Sequence, residues 1–95
     1  MNITDYIPVG KENAIPRHEL ARVLGLTDRA CRKEIELARD RGELICNDGD
    51  GQGYYMASDL TQIARQYRVD RARALSILKR LKTMRRMLRD NGKEV

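Results

Sequence analysis

The sequence predicts a mainly α-helical fold with a small β-hairpin and a long C-terminal amphipathic helix. Three observations predict it: two amphipathic segments meet at Gly25, a glycine-rich turn separates two β-prone runs, and apolar residues recur at helical spacing from residue 60 to residue 88. Apolar residues three and four positions apart share one face of a helix, whereas short runs of β-prone residues favour strands. We therefore expect a compact unit over residues 1–57 and a helical segment over residues 58–95.

The segment before the first core helix contains two short predicted elements. Residues 3–7 fit a single helical turn, and Ala14 with Ile15 is apolar enough for a minimal strand. Pro16 suits the first turn of a helix, because the N–H that proline lacks has no partner there in any case. The first core helix is therefore expected to run from about Pro16 to Leu24.

Two central helices are predicted on either side of Gly25. Gly25 is expected to end the first with a positive φ, and Thr27 is a suitable N-cap for the second, with Asp28 near its positive end. Gly42 is expected to close this second helix. The apolar stripe of the first helix is Leu20, Val23 and Leu24, and that of the second is Cys31, Ile35 and Ala38.

A hairpin and a last helix complete the chain. The runs 44–46 and 54–56 are β-prone, and the intervening residues 47–53 include three glycines, so they predict two paired strands and a turn. Ser58 and Asp59 are suited to cap the start of a helix that can continue to about Arg89.

The charge is distributed unevenly along the chain. The 95 residues include 19 Lys/Arg and 14 Asp/Glu, a net charge of +5. Residues 1–57 contain eight cations and ten anions, whereas residues 58–95 contain eleven cations and four anions. The basic segment is expected to attract polyanions, above all nucleic acid, although a solvated helix face explains the same charges.

Several classes of function are disfavoured by what the sequence contains. A chain of this length leaves little interior for a deep substrate site, and His18 is the only histidine, so we expect no enzyme, no metal, no cofactor and no small-molecule substrate. Because no apolar run is long enough to span a bilayer and the N-terminus does not resemble a signal peptide, we expect a cytoplasmic protein without membrane contact. Cys31 and Cys46 are expected to be buried thiols rather than a disulfide.

The segment from Glu19 to Ile35 resembles the helix-turn-helix of winged-helix DNA-binding proteins, including the DNA-binding domain of biotin-repressor type and small phage or prophage regulators. The likeness covers residues 14–57 and depends on Ala21 facing the second helix, Gly25 in the turn, Leu26 plugging it, Thr27 as cap, and Cys31 and Ile35 pointing inward. It implies a winged helix-turn-helix fold and a recognition helix from Thr27 to Arg41.

This resemblance implies double-stranded DNA as the partner and a phage-type transcriptional regulator or DNA-transaction accessory factor as the function. Arginine can bond guanine through two hydrogen bonds, while lysine meets phosphate as a point charge. The expected recognition-helix contacts are Thr27, Arg29, Arg32 and Lys33, and the expected backbone contacts are Arg17 and His18. For each of these side chains, a solvated or ion-paired surface position is the alternative.

The hairpin turn disagrees with DNA binding, since it contains Asp48 and Asp50 and no cation. We expect this turn to stay off the duplex or to contact another partner, and a protein–protein adaptor without DNA affinity is the alternative function. The same turn matches part of a calcium-binding loop, although an ordinary polar turn is the favoured interpretation. The residues in that partial match are Asp48, Asp50, Gln52, Gly53 and Asp59.

The C-terminal helix has an apolar stripe at heptad spacing, which predicts a coiled-coil homodimer. A helix of about 30 residues is about 45 Å long, so a small domain cannot cover it. A break near Val69 and Asp70 that lets a shorter helix fold back is the alternative. The expected dimerisation residues are Leu60, Ile63, Tyr67, Ala74, Ile77, Leu81, Met84 and Leu88. The opposite face is basic, and either a phosphate-tracking strip or a solvated exterior explains Arg65, Arg68, Lys79, Arg80, Lys82, Arg86 and Arg89.

Overall fold

The computed structural model describes residues 2–49, 51 and 53–95 and is mainly helical over that part of the chain. Two short 3-10 helices come first, at Ile3–Tyr6 and Lys11–Asn13. They are followed by α1 (Arg17–Leu24), α2 (Asp28–Asp40), β1 (Ile45–Cys46), β2 (Tyr55–Met56) and α3 (Leu60–Asp90). The predicted class, helices with a small hairpin and a long C-terminal helix, is confirmed.

The two strands form an antiparallel hairpin that the N-terminal segment extends. Ile45 pairs with Met56 and Cys46 with Tyr55. Ile15 forms an antiparallel bridge to Tyr54, and Val9 forms a parallel bridge to Met56. The strand predicted at Ala14 and Ile15 is therefore a single bridge, which holds the start of α1 beside the hairpin.

The core lies between α1, α2, the hairpin and the first 3-10 helix. The predicted inward residues Leu20, Cys31 and Ile35 are all fully or almost fully buried. Cys31 and Cys46 are free, buried thiols, as predicted, and burial raises the pKa of both. Other members of the core are Ile3, Ile7, Ala21, Ala38, Ile45 and Tyr54.

Helix α3 is continuous through Val69 and Asp70, so the folded-back alternative is wrong. Its first turns pack beside β1, while every residue from 70 to 95 is exposed. The Cα radius of gyration is 16.9 Å, whereas a compact chain of this length has about 12 Å. The excess reflects the second half of α3, which projects from the domain.

Candidate nucleic-acid interface

The turn between α1 and α2 fixes where α2 begins. Gly25 has φ 68°, and the N–H groups of Gly25 and Leu26 donate to the carbonyls of Arg22 and Ala21. This left-handed ending satisfies the last carbonyls of α1, as predicted for a glycine at this position. The Thr27 hydroxyl then accepts a hydrogen bond from the Ala30 N–H, at 3.1 Å between oxygen and nitrogen. Thr27 is thus confirmed as the N-cap of α2.

The first two turns of α2 present an open, shallow surface to solvent. Cys31, Ile35 and Ala38 bury the opposite face of the helix, so the predicted contact residues point away from the core. The side chains of Arg32 and Lys33 are 57% and 62% exposed. The surface is lined by Thr27, Arg29, Ala30, Arg32, Lys33 and Glu36.

Asp28 connects the two groups of predicted contact residues. Its carboxylate accepts a hydrogen bond from Arg17 Nε at 2.6 Å and lies 3.3 Å from Arg32 Nε. Hydrogen bonds to Asp28 and Tyr54 raise the pKa of Arg17, so this guanidinium stays charged. From the sequence, Asp28 is expected only to lie favourably near the N-terminus of α2. The four-residue spacing to Arg32 could have indicated that ion pair, whereas the contact with Arg17 depends on tertiary structure.

Arg17 and His18 lie beside the hairpin loop, which we define as residues 47–53. A cleft of about 270 Å³ separates the start of α1 from this loop, and Asp28 forms part of its wall. The six predicted DNA contacts therefore form two neighbouring groups, one at the start of α2 and one at the start of α1. Asp28 is the residue that joins them.

Asp48, one of the two acidic residues of the hairpin turn, is buried and paired with cations from other parts of the chain. Its side chain is only 4% exposed and lies 2.7 Å from Lys11 Nζ and 3.5 Å from Arg65 Nη1. The Tyr55 hydroxyl donates a hydrogen bond to the same carboxylate. Burial tends to raise the pKa of Asp48, but the bonds and charges of Lys11, Tyr55 and Arg65 outweigh it and the pKa is lowered. Asp50 lies outside the described residues.

Gln66 anchors the hairpin loop to α3. Its Oε1 accepts hydrogen bonds from the backbone N–H groups of Asn47 and Asp48, at 2.7 and 2.9 Å. Its Nε2 donates to Asp70 Oδ1 at 3.0 Å, and the residue is 8% exposed. This role of Gln66 was not predicted, because a glutamine within a polar helical segment carries no signal of burial.

The partial match to a calcium loop is not supported by its described members. The Asp48 carboxylate is paired with Lys11 and Arg65. Asp59 caps α3, because its side chain accepts a hydrogen bond from the Gln62 N–H at 2.9 Å. Asp50 and Gln52, two further residues of that match, are outside the described part of the chain. Within that part, no group of three or more His, Cys, Asp or Glu side chains is arranged to hold a metal ion.

The predicted dimerisation stripe on α3 is largely solvent-exposed. Leu60 is 81% exposed and Tyr67 is 63% exposed, while Ile63 is half-buried. Further along, Ala74, Ile77, Leu81, Met84 and Leu88 all remain exposed. Of the cations on the opposite face, Arg65 is held near Asp48, so it is part of the hairpin anchor.

Comparison with protein-family models, with curated proteins and with solved structures finds no match to this chain. The geometry of the residues themselves is therefore the basis for a functional assignment. Among the helices of the described residues, none has the combination of length and apolar character needed to cross a membrane.

Proposed function

We propose that this protein binds double-stranded DNA sequence-specifically through α2, as a dimer and without catalysis, in transcriptional regulation or another DNA transaction. One observation supports this most: the exposed start of α2 presents Arg29, Arg32 and Lys33 together, while its buried face holds the helix on the domain. The order of α1, a short turn, α2 and a hairpin is consistent with a winged helix-turn-helix, and that assignment is part of the proposal.

Arg29 and Arg32 are proposed to contact base edges. No ion pair of Arg29 occurs among the described residues, whereas Arg32 must leave Asp28 or share it. An exposed ion pair contributes about 0 to 1 kcal/mol, and a bidentate arginine–guanine contact contributes about 1 to 3 kcal/mol of discrimination. The exchange of Asp28 for guanine is therefore favourable for Arg32, and Asp28 can still hold Arg17.

Phosphate contacts are proposed from Lys33 and from the start of α1. Arg17 keeps its charge beside Asp28, and His18 is exposed at the same cleft. Such contacts set the position of the protein on DNA without reading sequence. The hairpin loop no longer opposes this arrangement through Asp48, because Lys11 and Arg65 neutralise that carboxylate.

The adaptor remains the alternative, and the balanced charge of α2 favours it. Residues 28–40 contain four cations and four anions, whereas helices that bind DNA usually carry an excess of positive charge. Binding to DNA therefore has to be measured directly.

The test is selection of duplexes from a random pool, followed by titration of a selected and a scrambled duplex at several salt concentrations. For Arg29→Ala and for Arg32→Ala, we expect affinity for the selected duplex to fall about 5- to 150-fold, the equivalent of one bidentate base contact. Affinity for the scrambled duplex should change much less. The logarithm of the affinity should fall linearly with the logarithm of the salt concentration, with a slope proportional to the number of phosphates that the protein contacts.

Arg41→Ala is the matched control, because Arg41 is an exposed arginine at the opposite end of the same helix. Its affinity and selectivity should equal those of the wild type. If no duplex is enriched, or if Arg41→Ala costs as much selectivity as Arg29→Ala, then α2 is not the recognition element. Enrichment of no duplex would leave the adaptor function.

A further inference from the structure

A groove on the domain and the apolar stripe on α3 share one face of the helix, which Asp70 interrupts. The groove, about 250 Å³ in volume, lies between the end of α2, β1 and the start of α3. Leu44, Ile63 and Tyr67 supply apolar surface to it, and Glu43 and Asp70 are acidic residues on its lining. Ile63, Tyr67 and Asp70 belong to the same heptad series as Ala74 through Leu88. The groove and the stripe therefore have α3 residues of one series in common.

The two ends of this face differ in charge. Residues 71–89 contain eight Lys/Arg and no Asp/Glu, whereas the charged residues lining the groove at the other end are Glu43, Asp70 and Arg39, a net charge of one negative unit. An amphipathic helix with a basic exterior fits an apolar groove with acidic edges. The second half of α3 from another copy of this chain has that composition.

The relative direction of two paired α3 helices follows from Asp70, which lies at one of the a or d positions of the heptad series. In a parallel pair, Asp70 would face its own counterpart, and the two most basic segments would lie side by side. Like charges placed opposite each other disfavour an interface. In an antiparallel pair, the acidic groove of each copy receives the basic half of the other, so both ends are complementary.

We propose that two copies of the chain pair with α3 antiparallel, and that residues 81–88 of each copy dock in the groove of the other. This inference specifies the dimer that the proposed function contains. Full overlap of the two series places Ile63 of one copy level with Leu88 of its partner, and Tyr67 then lies against Met84 of the partner. This register covers the apolar face from Ile63 to Leu88. Pairing of the projecting halves alone would leave the groove uncovered.

A small anion is the competing occupant of the groove. Arg39 lines it, and the Nη2 atom of Arg39 is buried without a hydrogen-bond partner among the described residues. The carboxylates of Glu43 and Asp70 oppose an anion at the same place. An anion would also leave the exposed stripe beyond the groove uncovered, which the second copy does not.

Disulfide trapping distinguishes the arrangements. Tyr67→Cys, Met84→Cys and the double variant are oxidised and examined on a non-reducing gel, with the wild type as control because its two cysteines are buried. Residues 67 and 84 of one continuous helix are about 25 Å apart, too far for an intramolecular disulfide. We expect covalent dimer from the double variant and from an equal mixture of the two single variants, and none from either single variant alone.

A parallel pair gives the opposite result, since each single variant would then form a covalent dimer. Formation of dimer by Met84→Cys alone overturns the proposal. Absence of covalent dimer from every sample, together with a monomer mass by light scattering at all concentrations, overturns it too. Duplex binding is measured separately, so failure of DNA binding with successful trapping affects only the proposed function.

Discussion

Replacing Gly53 with alanine should separate steric from conformational effects at the junction of the hairpin loop and α1. Gly53 has φ 116°, and a Cβ there would lie 2.4 Å from the carbonyl oxygen of Ile15 and 2.6 Å from its carbonyl carbon. Both atoms belong to the backbone, so the chain at Ile15 has to move. That movement breaks the bridge in which Ile15 and Tyr54 exchange hydrogen bonds of 2.8 and 2.9 Å.

The expected cost combines two contributions. Two lost backbone hydrogen bonds cost about 2 kcal/mol together, and a non-glycine residue at positive φ costs about 1 to 2 kcal/mol. For Gly53→Ala, we therefore expect a decrease of about 3 to 4 kcal/mol in the free energy of unfolding. At about 4 to 8 °C per kcal/mol for a domain of this size, Tm should fall by at least about 12 °C.

Gly51→Ala is the matched control. Gly51 also has a positive φ, 77°, but nothing lies within 4 Å of its Cβ position. Only the conformational cost of about 1 to 2 kcal/mol remains. Urea unfolding followed by tyrosine fluorescence measures both variants, since Tyr54 and Tyr55 are buried in the domain. Equal losses for the two variants would refute the steric argument.

Two further predictions concern Asp48 and the length of α3. Because the pKa of Asp48 is lowered in the folded protein, its ionised form stabilises the fold above about pH 4, and this stabilisation is lost as the pH falls further. The Asp48→Asn variant should therefore lose about 2 kcal/mol of stability at pH 7. In urea unfolding measured from pH 7 to pH 2, the stability of this variant should approach that of the wild type in acid. A chain ending at Asp70 should stay folded by circular dichroism and lose self-association by light scattering, because every residue after it is exposed.

The elements of the fold that depend on neighbours in sequence were predictable. Gly25 and Thr27 determine the end of α1 and the start of α2 through bonds that span at most five residues. Asp59 does the same for α3. The apolar spacing predicted the long helix α3, because that spacing is a property of one helix.

The contacts that join separate elements could not be predicted from the sequence. Asp48 looked like a free charge in a polar turn, yet Lys11 and Arg65, 37 and 17 positions away, approach it only in the folded chain. Gln66 is one of several polar residues near the start of α3, and only the position of the loop makes it buried. The contact between Arg17 and Asp28 likewise forms only when α1 and α2 pack together in the folded chain.

These joining contacts bear on how a dimer would meet DNA. Gln66 and Arg65 tie the hairpin loop to α3, so the domain is held to the helix that is proposed to pair. If Tyr67 of one copy lies level with Met84 of the other, the two Arg65 anchors are 21 residues apart along the helix axis, or about 31 Å. Half-sites on successive major grooves are about 34 to 36 Å apart. In the proposed antiparallel pair the two anchors would therefore be spaced along the helix axis by about one turn of DNA, whereas in a parallel pair both would lie at the same level.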